Sequence, residues 1–108
     1  MMKSAAKGVT MASSTPEGKV KEKIKRLLKH YGAWYYLPVS LGMGQHGIPD
    51  FVCCYNGQFF GIEAKAEGKK PTPLQVKQAE TITKAGGKWF LVDGDDSLMV
   101  VEKWLKGM

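Results

Sequence analysis

The stretch GIPDFVCCYNGQFFGIEAKA, residues 47–66, constrains the fold more than any other part of the chain. Two apolar, β-prone runs flank Asn56-Gly57, the strongest short-range signal for a two-residue hairpin with a type I′ turn. With Asn56 and Gly57 as the loop, Tyr55 faces Gln58, and the register follows outward. Val52 then faces Gly61, Phe51 faces Ile62, and Asp50 faces Glu63. Side chains alternate with period two, so Lys65 shares the face of Glu63. Directly opposed residues hold their Cβ atoms about 4.5–5.5 Å apart, and like charges there are destabilising. Two carboxylates are therefore set against each other, and Lys65 alone is a poor counterweight. A divalent cation is a better one, because hard cations prefer carboxylate and carbonyl oxygens.

The rest of the chain alternates helix and strand. Thr15-Pro16-Glu17 opens a helix, with Thr as N-cap and Pro in the first turn. Val20, Ile24, Leu27, Leu28 and Tyr31 recur at helical spacing, and Gly32 is the natural stop. Residues 33–39 read as an aromatic-rich strand, with Pro38 marking an edge or a strand end. A glycine-rich loop follows over 41–47, then the hairpin strands over about 50–55 and 58–65, then a polar, basic loop over 67–71. Thr72-Pro73-Leu74-Gln75 opens a second helix that Gly86-Gly87 ends. Residues 88–92 form a further strand, 93–97 a turn, and 98–105 a short helix. The strand–helix–strand step from 65 to 88 requires a crossover, so the sheet is mixed.

These 108 residues are enough for one domain over 15–108, with residues 1–14 as a flexible lead-in. No run approaches the ~18–20 apolar residues of a membrane span. Cys53 and Cys54 are neighbours on a strand and point to opposite faces, which suits a reducing cytoplasm better than a disulfide framework. Net charge is +6, a footprint that favours a polyanion, nucleic acid above all. Lysines crowd the first helix, and Lys69 and Lys70 follow the hairpin.

On a wheel of 100° per residue, Glu17 falls within about 20° of the centre of the first helix's apolar stripe, and Glu22 falls on the opposite side. Glu17 in a first turn also suits the helix dipole. Gln75 shares a face with Ala79 and Ile82 and has capping-box spacing from Thr72. Paired ionisable groups on a buried face, here Asp50, Glu63 and Lys65, are candidates for chemistry.

Pro49-Asp50, a hairpin, then Glu63-Ala64-Lys65 resembles the signature of the PD-(D/E)xK nuclease superfamily. The ordered set TPEGKVK, GIPDF, NGQFFGIEAKA, KKPTPLQ and AGGKWFLVDG is similar to the small, stand-alone VRR-NUC nucleases typical of phages. The resemblance runs from about residue 15 to about residue 95. It implies an α/β, restriction-endonuclease-like core in which a mixed sheet is flanked by helices. It also implies a DNA nuclease dependent on Mg²⁺ or Mn²⁺. Glu17 corresponds to the family's helix glutamate near the metal. Asp50 and Glu63 match the metal-binding acids, with the carbonyl of Ala64 beside them. Lys65 matches the catalytic lysine, and Gln75 the helix glutamine beside the site. Where the family often has a small polar residue, this chain has His46, and the residues leave open whether it meets metal, DNA or solvent. Lys69, Lys70 and His46 are the candidate nucleic-acid contacts.

The expected activity is a structure-directed endonuclease acting on branched DNA such as a Holliday junction. It would act in the cytoplasm, that of a bacterial host if the gene is a phage's. Such an enzyme needs two active sites, which a homodimer would supply, with Trp34, Tyr35 and Tyr36 as candidate interface residues. It needs no organic cofactor and no membrane. The alternative is a catalytically inactive nucleic-acid-binding module, which the presence together of Asp50, Glu63 and Lys65 argues against. A zinc hydrolase fails on ligands, since His30 and His46 stand in unrelated places.

Overall fold

A computed structural model describes residues 15–39 and 46–108. The lead-in over 1–14 and most of the glycine-rich loop lie outside the described residues. The elements run α1 (Pro16–Tyr31), β1 (Trp34–Tyr36), β2 (Phe51–Tyr55), β3 (Gln58–Ala64), α2 (Pro73–Lys84), β4 (Lys88–Val92) and α3 (Asp95–Lys106). The four strands form one sheet in the order β1-β2-β3-β4. The first two pairings are antiparallel and β3–β4 is parallel, so the sheet is mixed. No helix among the described residues is long and apolar enough to cross a membrane.

The hairpin has the register that its turn dictates: Tyr55 pairs with Gln58, Val52 with Gly61 and Phe51 with Ile62. Asn56 (φ 51°) and Gly57 (φ 77°) both take the positive φ of a type I′ turn. Alternation then sorts the two faces of the sheet. Phe51, Cys53, Phe60, Ile62, Phe90 and Val92 turn to one face, where α1 and α3 bury Ile24, Leu28, Val101 and Leu105 against them. Phe60, Phe90 and Trp104 pack edge-on with centroids 5.1–6.2 Å apart. Each such pair contributes about 0.5–1.5 kcal/mol beyond its buried area. Cys53 is fully buried in this core, and burial pushes its thiol up to about 12, out of reach of thiolate chemistry.

The opposite face carries α2. A Cβ at Gly61 would meet Pro49 and the side chain of Ile82, and one at Gly87 would meet Phe59 and Ile82. α2 begins on the capping box that its sequence predicts: Gln75 N–H donates to Thr72 Oγ1 (3.2 Å), and Thr72 N–H donates to Gln75 Oε1 (2.9 Å). Glu63 shares this second face, which places the start of α2 over it.

Several boundaries differ from the sequence reading. β1 is only three residues long. The N–H of Ala33 is taken by Leu28 O in the Schellman closure of α1 at Gly32 (φ 72°), so the strand cannot start there. The last helix starts at Asp95 rather than Leu98. Ser97 Oγ accepts from Asp93 N–H (2.9 Å) and donates to Asp93 Oδ1 (3.0 Å), while Asp95 and Asp96 sit favourably in a first turn. β2 begins at Phe51, because Asp50 gives its side chain rather than its backbone to the ladder.

Candidate active site

Asp50 lies just before β2, at the hairpin end away from the turn. Its Oδ2 accepts from the N–H of Ala64 (2.9 Å). The side chain thus replaces the next ladder bond and is held against β3 beside Glu63. Gly47 (φ 81°) makes this approach possible: a Cβ there would run into the carbonyl of Leu74 in the first turn of α2. The Pro49-Asp50 segment is pressed between β3 and the start of α2 as a result.

Glu63 is 2% exposed, the one buried charged residue among those described. Its Oε2 accepts from Gln75 Nε2 (2.8 Å), while its Oε1 is buried without a hydrogen-bond partner. Gln75 therefore does two things at once: its amide oxygen closes the α2 cap and its amide nitrogen holds Glu63. The carboxyl of Glu63 is pushed up to about 8, first by burial, then by the charge of Asp50 and a hydrogen bond shared with it. Lys65 pulls it back down and Glu17 adds a small further push. An ionised Glu63 leaves Oε1 orphaned beside another carboxylate. Either a proton held between the two acids or a cation satisfies the pair.

Glu17 stands further out. Its side chain is 46% exposed and pairs with Lys21 at 3.4 Å, whereas that of Glu22 is 28% exposed and pairs with Lys25 at 3.3 Å. The wheel's inward–outward ranking of these two acids is thus reversed. The angle was right for the stripe, but the apolar cover of α1 starts only at Val20, so a first-turn acid overhangs it. The charge of Glu17 still reaches Glu63. Among the described residues, no three of His, Cys, Asp and Glu come together as a metal cluster.

Comparison with known proteins fits this arrangement. No family model matches the chain. A protein of Acyrthosiphon pisum secondary endosymbiont phage 1, named "Putative nuclease p44", is 35% identical over 54 residues, which cover 49% of this chain and 58% of the phage protein. The match thus spans less than two thirds of that relative's length. A solved structure titled "VRR_NUC domain" superposes with a TM-score of 0.71 at 25% identity, over 83% of this chain and 97% of that one. The chain folds as a VRR-NUC domain. The architecture is accordingly restriction-endonuclease-like, with three helices around a four-stranded mixed sheet.

Within this fold Asp50, Glu63 and Gln75 are in contact, and Lys65 is close enough for its charge to act on Glu63. Lys69 and Lys70 are exposed on the loop between β3 and α2. A residue that sequence reasoning passed over fixes that loop. Asp93 accepts from the N–H of Gly68 (3.0 Å), which holds its carboxyl below the usual range, with Ser97 assisting. An acid directly after a buried strand, opposite a Gly-containing turn, was the available signal. His46 is exposed, and its carbonyl accepts from Gln78 Nε2 (3.4 Å). Its backbone is therefore tied to α2, while the residue itself stays at the surface.

Proposed function

We propose that this VRR-NUC domain is a divalent-metal-dependent endonuclease that hydrolyses phosphodiester bonds in DNA, with a preference for branched structure. The observation that carries the reading is the orphaned, buried Oε1 of Glu63 beside Asp50. Two carboxylates and the carbonyl of Ala64 form an all-oxygen donor set. Mg²⁺ takes one or two protein carboxylates and fills its remaining positions with water and substrate phosphate, so a pair suffices. Asp50, Glu63 and Ala64 would hold the ion, with Glu17 reaching it through water. Mg²⁺ or Mn²⁺ bound there supplies Lewis-acid polarisation of a phosphoryl oxygen and a water of lowered pKa.

The chain's own groups do the rest. The Ala64 N–H and Gln75 Nε2 fix the two carboxylates before substrate arrives. The Lys65 ammonium, whose charge already acts on Glu63, would stabilise the negative charge that develops on the phosphoryl group. Lys69 and Lys70, exposed together on the loop after β3, attract the DNA backbone to the site, a sequence-independent attraction that suits the net charge of +6. Cutting both strands of a junction requires two such sites, which a homodimer supplies, and the cytoplasm of a bacterial host is the matching compartment.

The test is incubation with supercoiled plasmid, a flap and a four-way junction, each in Mg²⁺, Mn²⁺ or EDTA. Metal-dependent cutting, faster on the branched substrates and absent in Asp50→Ala, is expected. DNA binding without cutting under every metal condition would instead make the chain a binding module.

A further inference from the structure

The face of the sheet that carries Glu63 is only half covered. α2 lies over β3 and β4, while Trp34 and Tyr36 on β1 and Phe59 at the start of β3 stay exposed on that face and Val52 and Cys54 between them are half-buried. Trp34 pairs with Cys54 and Tyr36 with Val52, and Cys54 in turn pairs with Phe59. Paired residues share a face, so these five side chains form one apolar shelf. Trp34 is 58% and Tyr36 48% exposed, and their rings meet nearly edge to face, with centroids 5.8 Å apart. Tyr35, between them, turns to the other face and packs on Phe51.

The shelf runs directly into the candidate active site. Asp50, Val52 and Cys54 follow one another on one face of one chain segment, two residues apart. At about 3.3 Å per residue, Tyr36 stands level with a point about 7 Å from Asp50 along β2, and Trp34 about 13 Å. One strand further over, at about 4.8 Å spacing, the two rings remain within reach of nucleotides that flank a phosphate at the carboxylates. We propose that Trp34 and Tyr36 form a stacking platform for unpaired bases next to the scissile phosphate. The inference rests on the nuclease reading of Asp50 and Glu63, and it names the substrate class: DNA whose bases are splayed out beside the cut. Paired bases hide their faces inside the duplex, so only unpaired ones can lie on a ring.

A second copy of the chain fits the shelf less well. A stable interface engages about 20–30 residues a side, and this shelf offers five. A three-residue edge strand followed closely by Pro38 is also a poor template for strand pairing between copies.

The experiment measures binding in EDTA, where cutting cannot interfere, by fluorescence anisotropy of a labelled single-stranded thymidine oligonucleotide and a blunt duplex. Removing a stacking ring costs about 5- to 150-fold per base. The double variant Trp34→Ala/Tyr36→Ala is expected to lose at least about tenfold on the single strand and less than about twofold on the duplex. Trp34→Phe/Tyr36→Phe is expected to retain most of the affinity. In the wild type, the single strand is expected to quench tryptophan fluorescence, and Trp34→Phe to abolish the quenching although Trp89 and Trp104 remain. Equal losses on both probes, or no loss on either, overturn the platform. So does a dimer-to-monomer change in the double alanine variant by size-exclusion chromatography, which would assign the shelf to a second copy. Failure of the nuclease reading shows differently: the wild type would then leave plasmid intact in Mg²⁺ and Mn²⁺ while the single-strand preference persisted.

Discussion

Glu63→Gln isolates the cost of placing a second carboxylate beside Asp50. The glutamine keeps the shape of the side chain. Its amide oxygen can accept from Gln75 Nε2, and its amide nitrogen can donate to Asp50 where Glu63 Oε1 has no partner. In the wild type without metal, the carboxyl of Glu63 is raised from 4.5 to about 8, with burial the largest cause. The proton it holds stabilises the fold fully below about 4.5, and that contribution is lost as pH rises through about 8. The whole shift corresponds to at most about 5 kcal/mol. Relaxation of a coupled pair leaves about 2 kcal/mol, or roughly 8–16 °C in Tm for a domain of this size. Glu63→Gln should therefore melt with the wild type at pH 5 and well above it at pH 8.5, both in EDTA. Calorimetry at the two pH values measures this. A Tm difference that does not change with pH, or a less stable variant at pH 8.5, would refute the buried-charge reasoning. In Mg²⁺ the wild type should regain stability and the variant should not.

Other outcomes follow from the same contacts. Gln75→Glu keeps an acceptor for Thr72 N–H but sets another carboxylate against Glu63, so plasmid cutting should fall by at least about tenfold, or 1.4 kcal/mol of barrier. Melting at pH 5 should change little, and wild-type turnover would remove Gln75 from the site. Reversing the charges of Lys69 and Lys70 should weaken binding to all DNA sequences alike and lower the slope of log affinity against log salt by about 2, read from salt titrations by anisotropy. Gly47→Ala forces a Cβ onto the carbonyl of Leu74 at φ 81°. It should lower stability by about 2 kcal/mol in urea titrations and reduce cutting by displacing Asp50.

What could be read from the sequence was whatever a local rule controls. The Asn56-Gly57 turn fixes the hairpin register, and with it the meeting of Asp50 and Glu63, because a two-residue loop allows one pairing. Thr72 and Pro73 set the start of α2, and KWFLV the limits of β4. What escaped the sequence were contacts between distant groups that replace a backbone bond. Asp50 takes the N–H of Ala64, Ala33 gives its N–H to α1 instead of the sheet, and Ser97 draws α3 back towards Asp93. The exposure of Glu17 was misjudged for another reason: a helical wheel gives an angle about the axis, but not the point along it where the core begins.

The position of Asp50 and Glu63 at the end of the hairpin farthest from Asn56-Gly57 also has a kinetic meaning. A hairpin zips from its turn within about 1–10 μs. The pairs Tyr55–Gln58 to Phe51–Ile62 can therefore form while the two acids are still in water. Only the final closure, with α2 docking over Glu63, dehydrates them. Repulsion that enters after the transition state leaves the folding rate alone and speeds unfolding. The domain should thus form as fast as its neutralised variant, and the electrostatic burden should appear in the lifetime of the folded state, which a bound cation would lengthen.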